Sequence, residues 1–459
     1  MAADGEVRMS RMIQVAAVLL FTAAPGVSQV TLGPDELRQA ARTALRVGEP
    51  QTALDFGRAL IARDAQDLNA HLIVARAARD LGDTRTARDA ARTAWTLSET
   101  QAQKYAAALV TAQVLATDGK RTRAQLWLRR AAEHAPNDAL RARATRDFGY
   151  VRQQNPWQTD LIFVFAPNSN INNASNTDRG FIYLDDVPFP LEYTLDVADQ
   201  AIAGLEFGGS LRSRYRFHQT ATTAHDAKIA ASYKTYSITD DLGDADVRGS
   251  DFAFGSVALG YGYRQINFER RGEMSLDTEA GQTWYGGARY ASYLRVSGQQ
   301  SLIMPGNRRL QFGTNLERQW GQATSDVDTL GLSAGITQAF ANGNSGFFGL
   351  SAKITDSINA NAEYGEVALR TRLSLRKPLA GAAVQIGLGV SFRDYDVSIN
   401  APGGRQDNRF FADVTATFKE IDYYGFNPTV TLSASTTNSN VELYDVNRVG
   451  LNIGIRSAF

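Results

Sequence analysis

The sequence predicts an α + β protein in separate domains: an N-terminal α-helical solenoid of tetratricopeptide-like (TPR-like) repeats, then a C-terminal antiparallel transmembrane β-barrel of about 14 strands. Three observations predict this. Ala, Arg and Leu recur at helical spacing up to Pro156, the residue alphabet changes there, and apolar and polar residues then alternate up to Phe459. We therefore predict a signal peptide over 1–28, a periplasmic helical domain over 34–156 and an outer-membrane barrel over 157–459.

The first residues have the pattern of a secretory signal peptide. Arg8 and Arg11 supply positive charge, an apolar run covers residues 12–21, and small residues up to Ser28 suit a signal peptidase. The run is too short for a membrane-spanning helix, which needs roughly 18–20 consecutive apolar residues. We expect cleavage after Ser28.

The helical region repeats itself. Gly48, Gly82 and Gly119 are each followed five residues later by an alanine, and the steps between these glycines are 34 and 37 residues. Small residues at these places let two antiparallel helices approach closely, with the glycine in the turn between them, as in tetratricopeptide repeats. Stacked helix pairs form a concave surface that binds peptides or proteins. A helical bundle without repeats is the alternative interpretation.

The helical domain is predicted to end at Asn155-Pro156, because proline lacks the N–H that a helix needs and restricts the residue before it. Beyond this point, alternation with period two defines fourteen segments, of which the second is predicted over about 200–217 and the twelfth over about 409–421. In residues 384–393, for example, apolar side chains alternate with Gln, Gly, Ser and Arg. An even number of strands with one apolar and one polar face is typical of a single-chain bacterial outer-membrane barrel.

The connections between these segments largely alternate between short and long. MPGN, ANGN and KPLAG are short turns, whereas residues 171–199 form a long polar connection after the first strand. Short turns of such barrels face the periplasm and long loops face the cell exterior. The predicted lumen holds many Arg, Gln and Gly residues, so we expect a hydrated interior in which arginines pair with acidic residues of adjacent strands.

The last strand is apolar on one face and ends in phenylalanine. This pattern is similar to the C-terminal signal by which outer-membrane barrels are recognised for assembly. The candidate signal residues are Leu451, Ile453, Ile455 and Phe459. Ser457 stands where an aromatic residue is often found. Aromatic residues near another strand end, including Tyr424 and Phe426, are interpreted as part of an interfacial girdle.

Composition and motifs do not indicate an enzyme. The chain has no cysteine, and its four histidines form no close pair at helical spacing. It contains no GxSxG, no HExxH and no phosphate-binding glycine loop. Residues 31–156 carry six more basic than acidic residues, too dilute a patch for nucleic-acid binding. We expect transport or assembly, with no catalytic, cofactor-binding or metal-binding residue and no nucleic-acid partner.

The stretch NPWQTDLIFVFAPNSNINNASN, residues 155–176, resembles the start of the barrel domain in the Slam family, the surface lipoprotein assembly modifiers. That family has a Pro/Trp pair near the junction and an apolar first strand that ends in a P-x-S-N-I-N-x-A motif. The matching residues are Pro156, Trp157, Pro167, Ser169, Asn170, Ile171, Asn172 and Ala174. The terminal NRVGLNIGIRSAF is also similar to that family's last strand.

The resemblance implies an outer-membrane translocator that delivers specific lipoproteins, or related secreted proteins, to the cell surface. The repeat domain would engage the client in the periplasm, and the barrel would pass it across. The implied partners are the client, outer-membrane lipid, the barrel assembly machinery and periplasmic chaperones, and the chain is expected to be a monomer.

Two other functions remain open at the level of the sequence. A polysaccharide exporter also joins helical repeats to a barrel, although such exporters usually carry many more repeats. A substrate-specific porin would explain a polar lumen, although a passive pore does not need a repeat domain. The asparagines of the motif can in either case cap turn backbone at the barrel rim.

Overall fold

The computed structural model describes residues 32–183, 189–243, 245–421, 423–424 and 426–457. The predicted signal peptide over 1–28 and the terminal Phe459 lie outside these residues. The chain divides into two compact units, the first ending at Glu99 and the second beginning at Thr100. Within the described residues, no helix is both long and apolar enough to cross a bilayer.

The first unit consists of two helix pairs. The helices are α1 (Pro34–Val47), α2 (Pro50–Arg63), α3 (Leu68–Asp80) and α4 (Thr84–Thr96). Gly48 and Gly82 occupy the turn inside each pair with φ of 81° and 82°, a conformation that costs a residue with a β-carbon free energy. Ala53 and Ala87, five residues later, are fully buried in the first turn of the second helix. The predicted repeat pattern of turn glycine and close-packed alanine is confirmed.

The second unit begins with three more helices, α5 (Gln101–Thr117), α6 (Arg121–Glu133) and α7 (Asp138–Gln154). Gly119, with φ of 73°, turns the chain from α5 into α6, and Ala124 is fully buried. The side chain of Asn137 accepts a hydrogen bond from the Leu140 N–H and caps the start of α7. This third pair repeats the arrangement of the first two.

A closed antiparallel barrel of fourteen strands follows. Its first seven strands are β1 (Trp157–Asn168), β4 (Gly204–Gln219), β5 (Thr223–Ile238), β6 (Phe254–Asn267), β7 (Gly272–Tyr285), β8 (Ala288–Met304) and β9 (Arg308–Gly321). The other seven are β10 (Val327–Ala339), β11 (Ser345–Asp356), β12 (Tyr364–Ser374), β13 (Ala382–Tyr395), β14 (Arg405–Phe418), β15 (Phe426–Ser439) and β16 (Val446–Ser457). Each strand pairs with its neighbours in sequence, and β1 meets β16. The predicted fold class is confirmed.

Two short strands lie outside the barrel. β2 (Arg179–Ile182) and β3 (Leu191–Thr194) form a hairpin within the long connection between β1 and β4, which the sequence had predicted as polar loop. Two barrel strands also differ from their predicted limits. The second begins at Gly204, not near residue 200, and the twelfth begins at Arg405, not near residue 409.

The outer wall of the barrel is apolar. Side chains such as Leu332, Leu350 and Phe392 are more than half exposed, and they alternate along their strands with residues that face the lumen. Such a band of exposed apolar side chains suits the hydrocarbon interior of a bilayer.

The two ends of the barrel differ in their connections. One end carries the long connections, including residues 169–203 and 239–253, although residues 286–287 form a two-glycine turn there. The other end carries short connections such as 220–222, 268–271 and 305–307, together with the entry from α7 into β1. We call these the long-loop end and the short-turn end.

Candidate functional site: the barrel lumen and its rim

The Pro/Trp pair of the predicted motif lies at the short-turn end. The Pro156 carbonyl accepts a hydrogen bond from the Arg216 N–H at 2.8 Å, and the Trp157 ring packs against Tyr215 with 4.8 Å between ring centroids. Trp157 is about half exposed on the outer wall, where aromatic rings suit the membrane interface. The pair therefore anchors the start of β1 against β4.

The rest of the motif lies at the opposite, long-loop end. Pro167 is the penultimate residue of β1, and Ser169 is the first residue beyond this strand. The Ser169 N–H donates to the Val449 carbonyl at 3.2 Å, and its hydroxyl accepts from the Val449 N–H at 2.9 Å. The Arg448 guanidinium donates to the Asn168 side chain at 3.0 Å. These bonds join the rim of β1 to the rim of β16.

Asn170 is fully buried and closes a tight turn. Its amide nitrogen donates to the Ala174 carbonyl at 2.8 Å, and its amide oxygen accepts from the Ala174 N–H at 3.0 Å. Ile171, between the two asparagines of the motif, is also buried and packs with Ile202 and Tyr236. The turn therefore holds an apolar anchor between two polar ones.

Asn172 binds the end of the same connection that leads into β4. Its amide nitrogen donates to the carbonyls of Ala198 and Gln200 at 2.8 and 2.7 Å, and its oxygen accepts from the Ile202 N–H at 3.1 Å. The side-chain hydrogen bonds of Asn170 and Asn172 given above all join these amides to backbone groups of this connection. The interpretation that the asparagines cap turn backbone agrees with this geometry.

The connection from β1 to β4 also contacts the loops that precede β14 and β16. Asn400 donates to the Phe181 carbonyl at 2.7 Å, and the Tyr183 N–H donates to the Ile399 carbonyl at 3.1 Å. The Asn176 N–H donates to the Asp445 carbonyl at 3.0 Å. The first connection is thus part of a hydrogen-bonded rim that extends to the other side of the β1–β16 contact.

Inside the barrel, several lumen-facing charges form ion pairs across neighbouring strands. Asp226, which is fully buried, accepts from both Arg214 and Arg216. Arg295 lies 2.5 Å from the Glu317 carboxylate and 3.5 Å from that of Glu279. The remaining pairs inside the lumen include Lys228 with Asp277 and Arg393 with Glu366. For these residues the predicted pairing with acidic neighbours is correct.

Three lumen arginines differ from this pattern. Arg370, Arg409 and Arg448 have no carboxylate partner among the described residues. Arg370 lies over the Phe411 ring at 5.2 Å, and Arg409 donates to the Ser435 hydroxyl at 3.5 Å. All three line a lumen cavity of about 630 Å³. The cavity is also lined by Lys234 and Arg393 and by the carboxylates of Glu206, Glu366 and Asp413, so five basic and three acidic side chains give its lining a net positive charge.

The lumen side of β1 is apolar over part of its length, between the polar residues Asp160 and Asn168. Residues 161–166 read LIFVFA, so both faces of the strand carry apolar side chains. Alternation from Asn168, which contacts Glu206 inside the barrel, places Ile162, Val164 and Ala166 on the lumen face. We call these three residues the apolar strip.

At the short-turn end, helix α6 contacts the barrel. The Arg129 guanidinium donates to the Tyr424 carbonyl at 3.0 Å and lies 4.8 and 4.3 Å from the rings of Phe148 and Phe426. The Tyr424 N–H donates to the Glu133 carboxylate at 3.1 Å. The ring of Phe426 lies under the Arg129 guanidinium, and the ring of Tyr424 lies 6.4 Å from that of His134 at the end of α6. Their role as girdle residues stays a prediction.

The candidate assembly-signal residues of the last strand can be placed only in part. Leu451, Ile453 and Ile455 lie on one face of β16, and the latter two are about half exposed on the outer wall. Phe459 is outside the described residues. Among the described residues, no group of three or more His, Cys, Asp or Glu side chains could hold a metal ion.

Sequence reasoning did not find the helix contact at Arg129 or the three arginines of the cavity. Alternation assigns a residue to the lumen, but it does not show which lumen charges meet. Arg370, Arg409 and Arg448 come from β12, β14 and β16, so only the closed barrel brings them to one cavity.

Comparison with known families gives one match. The model of the surface lipoprotein assembly modifiers covers residues 157–459, the barrel and all of its connections. The chain belongs to this family. At the level of the family, its role is in surface lipoprotein assembly, and its closed barrel and its family support a place in the outer membrane. The family and the barrel point to transport or assembly, not to catalysis.

Solved structures are similar to separate parts of this surface lipoprotein assembly modifier. The type III secretion translocator chaperone SycD of Yersinia enterocolitica is 16% identical with a TM-score of 0.25, covering 28% of this chain and 98% of that one. An anion-selective porin from Comamonas acidovorans and a BenF-like porin from Pseudomonas fluorescens are each 10% identical with a TM-score of 0.34. They cover 66% of this chain and 100% and 98% of their own. No curated protein matches the chain.

Proposed function

We propose that this protein is an outer-membrane translocator that delivers specific lipoproteins, or related secreted proteins, to the cell surface. The observation that carries the proposal is the family match, which spans a closed barrel with a polar, cavity-containing lumen. Such a barrel offers a protein client a path whose wall can exchange hydrogen bonds and charge with it.

The orientation follows from the two ends of the barrel. Long loops of bacterial outer-membrane barrels face the exterior and short turns face the periplasm. Because α7 enters β1 at the short-turn end, the helical domain over 34–156 belongs on the periplasmic side in this proposal. There its TPR-like helices would engage the client before transfer, as helical repeats generally bind peptides or proteins.

The motif residues have a structural role in this proposal. Pro156 and Trp157 anchor the periplasmic end of β1, whereas Ser169, Asn170 and Asn172 hold the outer rim in shape. After periplasmic chaperones deliver the chain, the barrel assembly machinery would recognise its terminal residues Leu451, Ile453, Ile455 and Phe459. The assembled protein would act as a monomer surrounded by outer-membrane lipid.

A substrate-specific porin is the second candidate. The specific observation in its favour is the cavity lined by Arg370, Arg409 and Arg448, which would suit a small anionic solute. A porin of this kind would conduct such solutes in purified form, and its deletion would leave surface lipoproteins in place.

Surface proteomics tests the proposed function. Intact cells with the gene, without it and with a restored copy are treated with protease and labelled on the surface. We expect one or a few lipoproteins or secreted proteins to leave the surface fraction on deletion and to return on restoration, while their total amounts stay constant. An unchanged surface proteome would refute the proposal, and altered exported polysaccharide would favour an exporter.

A further inference from the structure

The contact between the first and last strands is the weakest part of the barrel wall. β1 pairs with β4 at all twelve of its residues. Among the described residues, β1 pairs with β16 only at Phe165, opposite Ile453, and at Asn168, opposite Gly450. The same register extended along both strands would align residues 161–168 with 450–457. We call this contact the seam.

The two strands of the seam nevertheless lie side by side. A β-carbon built on Gly454 would lie 3.6 Å from the Phe163 carbonyl oxygen, and one built on Gly450 would lie 3.8 Å from that of Pro167. Gly450 and Gly454 add no side chains to the lumen side of the seam, where Asn452 lies between them, and Pro167 has no N–H to donate. The strands are therefore close but sparsely hydrogen-bonded.

The motif closes the seam at its outer end only. Ser169 makes two hydrogen bonds to Val449, and Arg448 binds Asn168. At the depth of the membrane, unpaired backbone groups cost free energy in lipid, so a sparse contact between two strands is the place where a closed barrel separates most easily.

The apolar strip lies directly beside this seam on the lumen side. Exposure falls along the strip: Ile162 is 53% exposed, Val164 is partly buried, and Ala166 is 7% exposed. Val164 and Ala166 line the lumen cavity. The accessible part of the strip, Ile162 and Val164, offers an apolar ligand a short contact surface in a largely polar lumen.

We propose that the seam opens sideways and admits the acyl chains of a lipid-modified client to the apolar strip. The inference rests on the proposed function and names the part of the client that needs this route. The acyl chains would stay in contact with apolar surface at the bilayer or on β1, while the polypeptide contacts the polar lumen. The outer bonds of Ser169 and Asn168 would hold the barrel together while the membrane part of the seam separates.

The seam can be locked with a disulfide, because the natural chain has no cysteine. F165C/I453C places two thiols at directly opposed outer-wall positions of the seam, within the Cα separation that a disulfide accepts. L369C/V390C is the matched control, since these residues are opposed on the outer wall between the fully paired strands β12 and β13.

The test uses the purified full chain in vesicles of phosphatidylethanolamine and phosphatidylglycerol. The vesicles contain a phospholipid with a photoactivatable diazirine near the end of one acyl chain, and adducts are mapped to single residues by tandem mass spectrometry. We expect adducts on Ile162 or Val164 in the reduced protein, their loss in oxidised F165C/I453C, and their retention in oxidised L369C/V390C. Adducts confined to Leu161, Phe163 and Phe165, or strip adducts that persist in the locked seam, would overturn the inference.

A second measurement separates this inference from the proposed function. The locked and control variants are expressed in the deletion strain, and surface exposure of a lipidated protein identified by surface proteomics is followed. We expect oxidation of F165C/I453C to block its delivery and reduction to restore it. Delivery that continues while the seam is locked would refute sideways opening of the seam but not the proposed function. Absence of delivery by the unmodified chain would refute the proposed translocator function.

Discussion

At the scale of the residue, the rim depends on asparagine side chains that bind backbone. Asn172 carries the most bonds, since it satisfies two carbonyls and one N–H of the connection it closes. Asparagine is suited to this position because its amide can donate two hydrogen bonds and also accept one, whereas a carboxylate donates none and a hydroxyl donates only one.

Replacement of Asn172 with Ala should loosen the first connection. The backbone groups that lose a partner cost about 1–3 kcal/mol each where they stay buried. We expect trypsin to cleave at Arg179 roughly tenfold faster or more, since about 1.4 kcal/mol corresponds to a factor of ten. Asn173→Gly is the control, because Asn173 is exposed and already has φ of 56°. Equal cleavage rates in N172A and N173G would contradict this role.

His134 should make the helical part of the second unit sensitive to pH. Burial lowers its pKa below 6.5, and the neighbouring Lys104 adds to this effect. The folded state thus prefers the neutral imidazole, so its contribution is present above pH 6.5 and is lost as pH falls through the lowered value.

The measurement is the melting temperature of the helices, followed by circular dichroism as pH is lowered from above 6.5. We expect the natural protein to lose more thermal stability than His134→Gln, whose side chain does not titrate. Parallel profiles for the two proteins would show that protonation of His134 is not coupled to folding.

At the scale of the element, period-two alternation was sufficient to predict all fourteen barrel strands. It misplaced the start of β14 because Arg405, Gln406, Asp407 and Asn408 are polar on both faces and show no alternation. It also missed the β2–β3 hairpin, whose four-residue strands are too short to show a period. Strand pairing at the seam is a property of two distant segments, so no local pattern reports it.

The contact between α6 and the barrel can be tested with Arg129→Ala. Arg129 is buried, donates to the Tyr424 carbonyl and lies over two aromatic rings. We expect a loss of about 2–4 kcal/mol in the free energy of unfolding of α5–α7, measured by urea titration with helical circular dichroism. Arg129→Lys should recover little, because lysine lacks the planar group that fits between the rings.

Arg123→Ala is the control for this experiment. Arg123 lies on the same helix but is exposed, so its removal should change the unfolding free energy by about 0.5 kcal/mol or less. Equal effects of R123A and R129A would mean that loss of an arginine from α6, and not the barrel contact, causes the change.

At the scale of the whole molecule, closure of the barrel creates the properties that the sequence could not show. It brings three arginines from alternate strands to one cavity and sets an apolar strip beside the seam. The sequence could predict the class of each side chain, polar or apolar, and the face it occupies. It could not predict which charges pair, because that depends on the exact register between neighbouring strands and on the direction of each long side chain.

The charge of the cavity predicts an ion preference. Replacing Arg370, Arg409 and Arg448 together with Gln should shift the selectivity of the purified protein from anions toward cations. The measurement is the reversal potential across a salt gradient in planar bilayers. Arg295→Gln is the control because Arg295 is paired with two glutamates. A larger shift toward cations with R295Q than with the triple variant would contradict the proposed electrostatics.

Passage of a client through the lumen can be detected by photocrosslinking inside living cells. A photoreactive amino acid is placed at Ser433, which lines the lumen cavity, and separately at Leu432, its outward-facing neighbour on β15. We expect a client that depends on this protein for surface exposure to crosslink from position 433 and not from position 432. A client that reaches the surface normally without any crosslink from position 433 would show that it does not pass through this lumen.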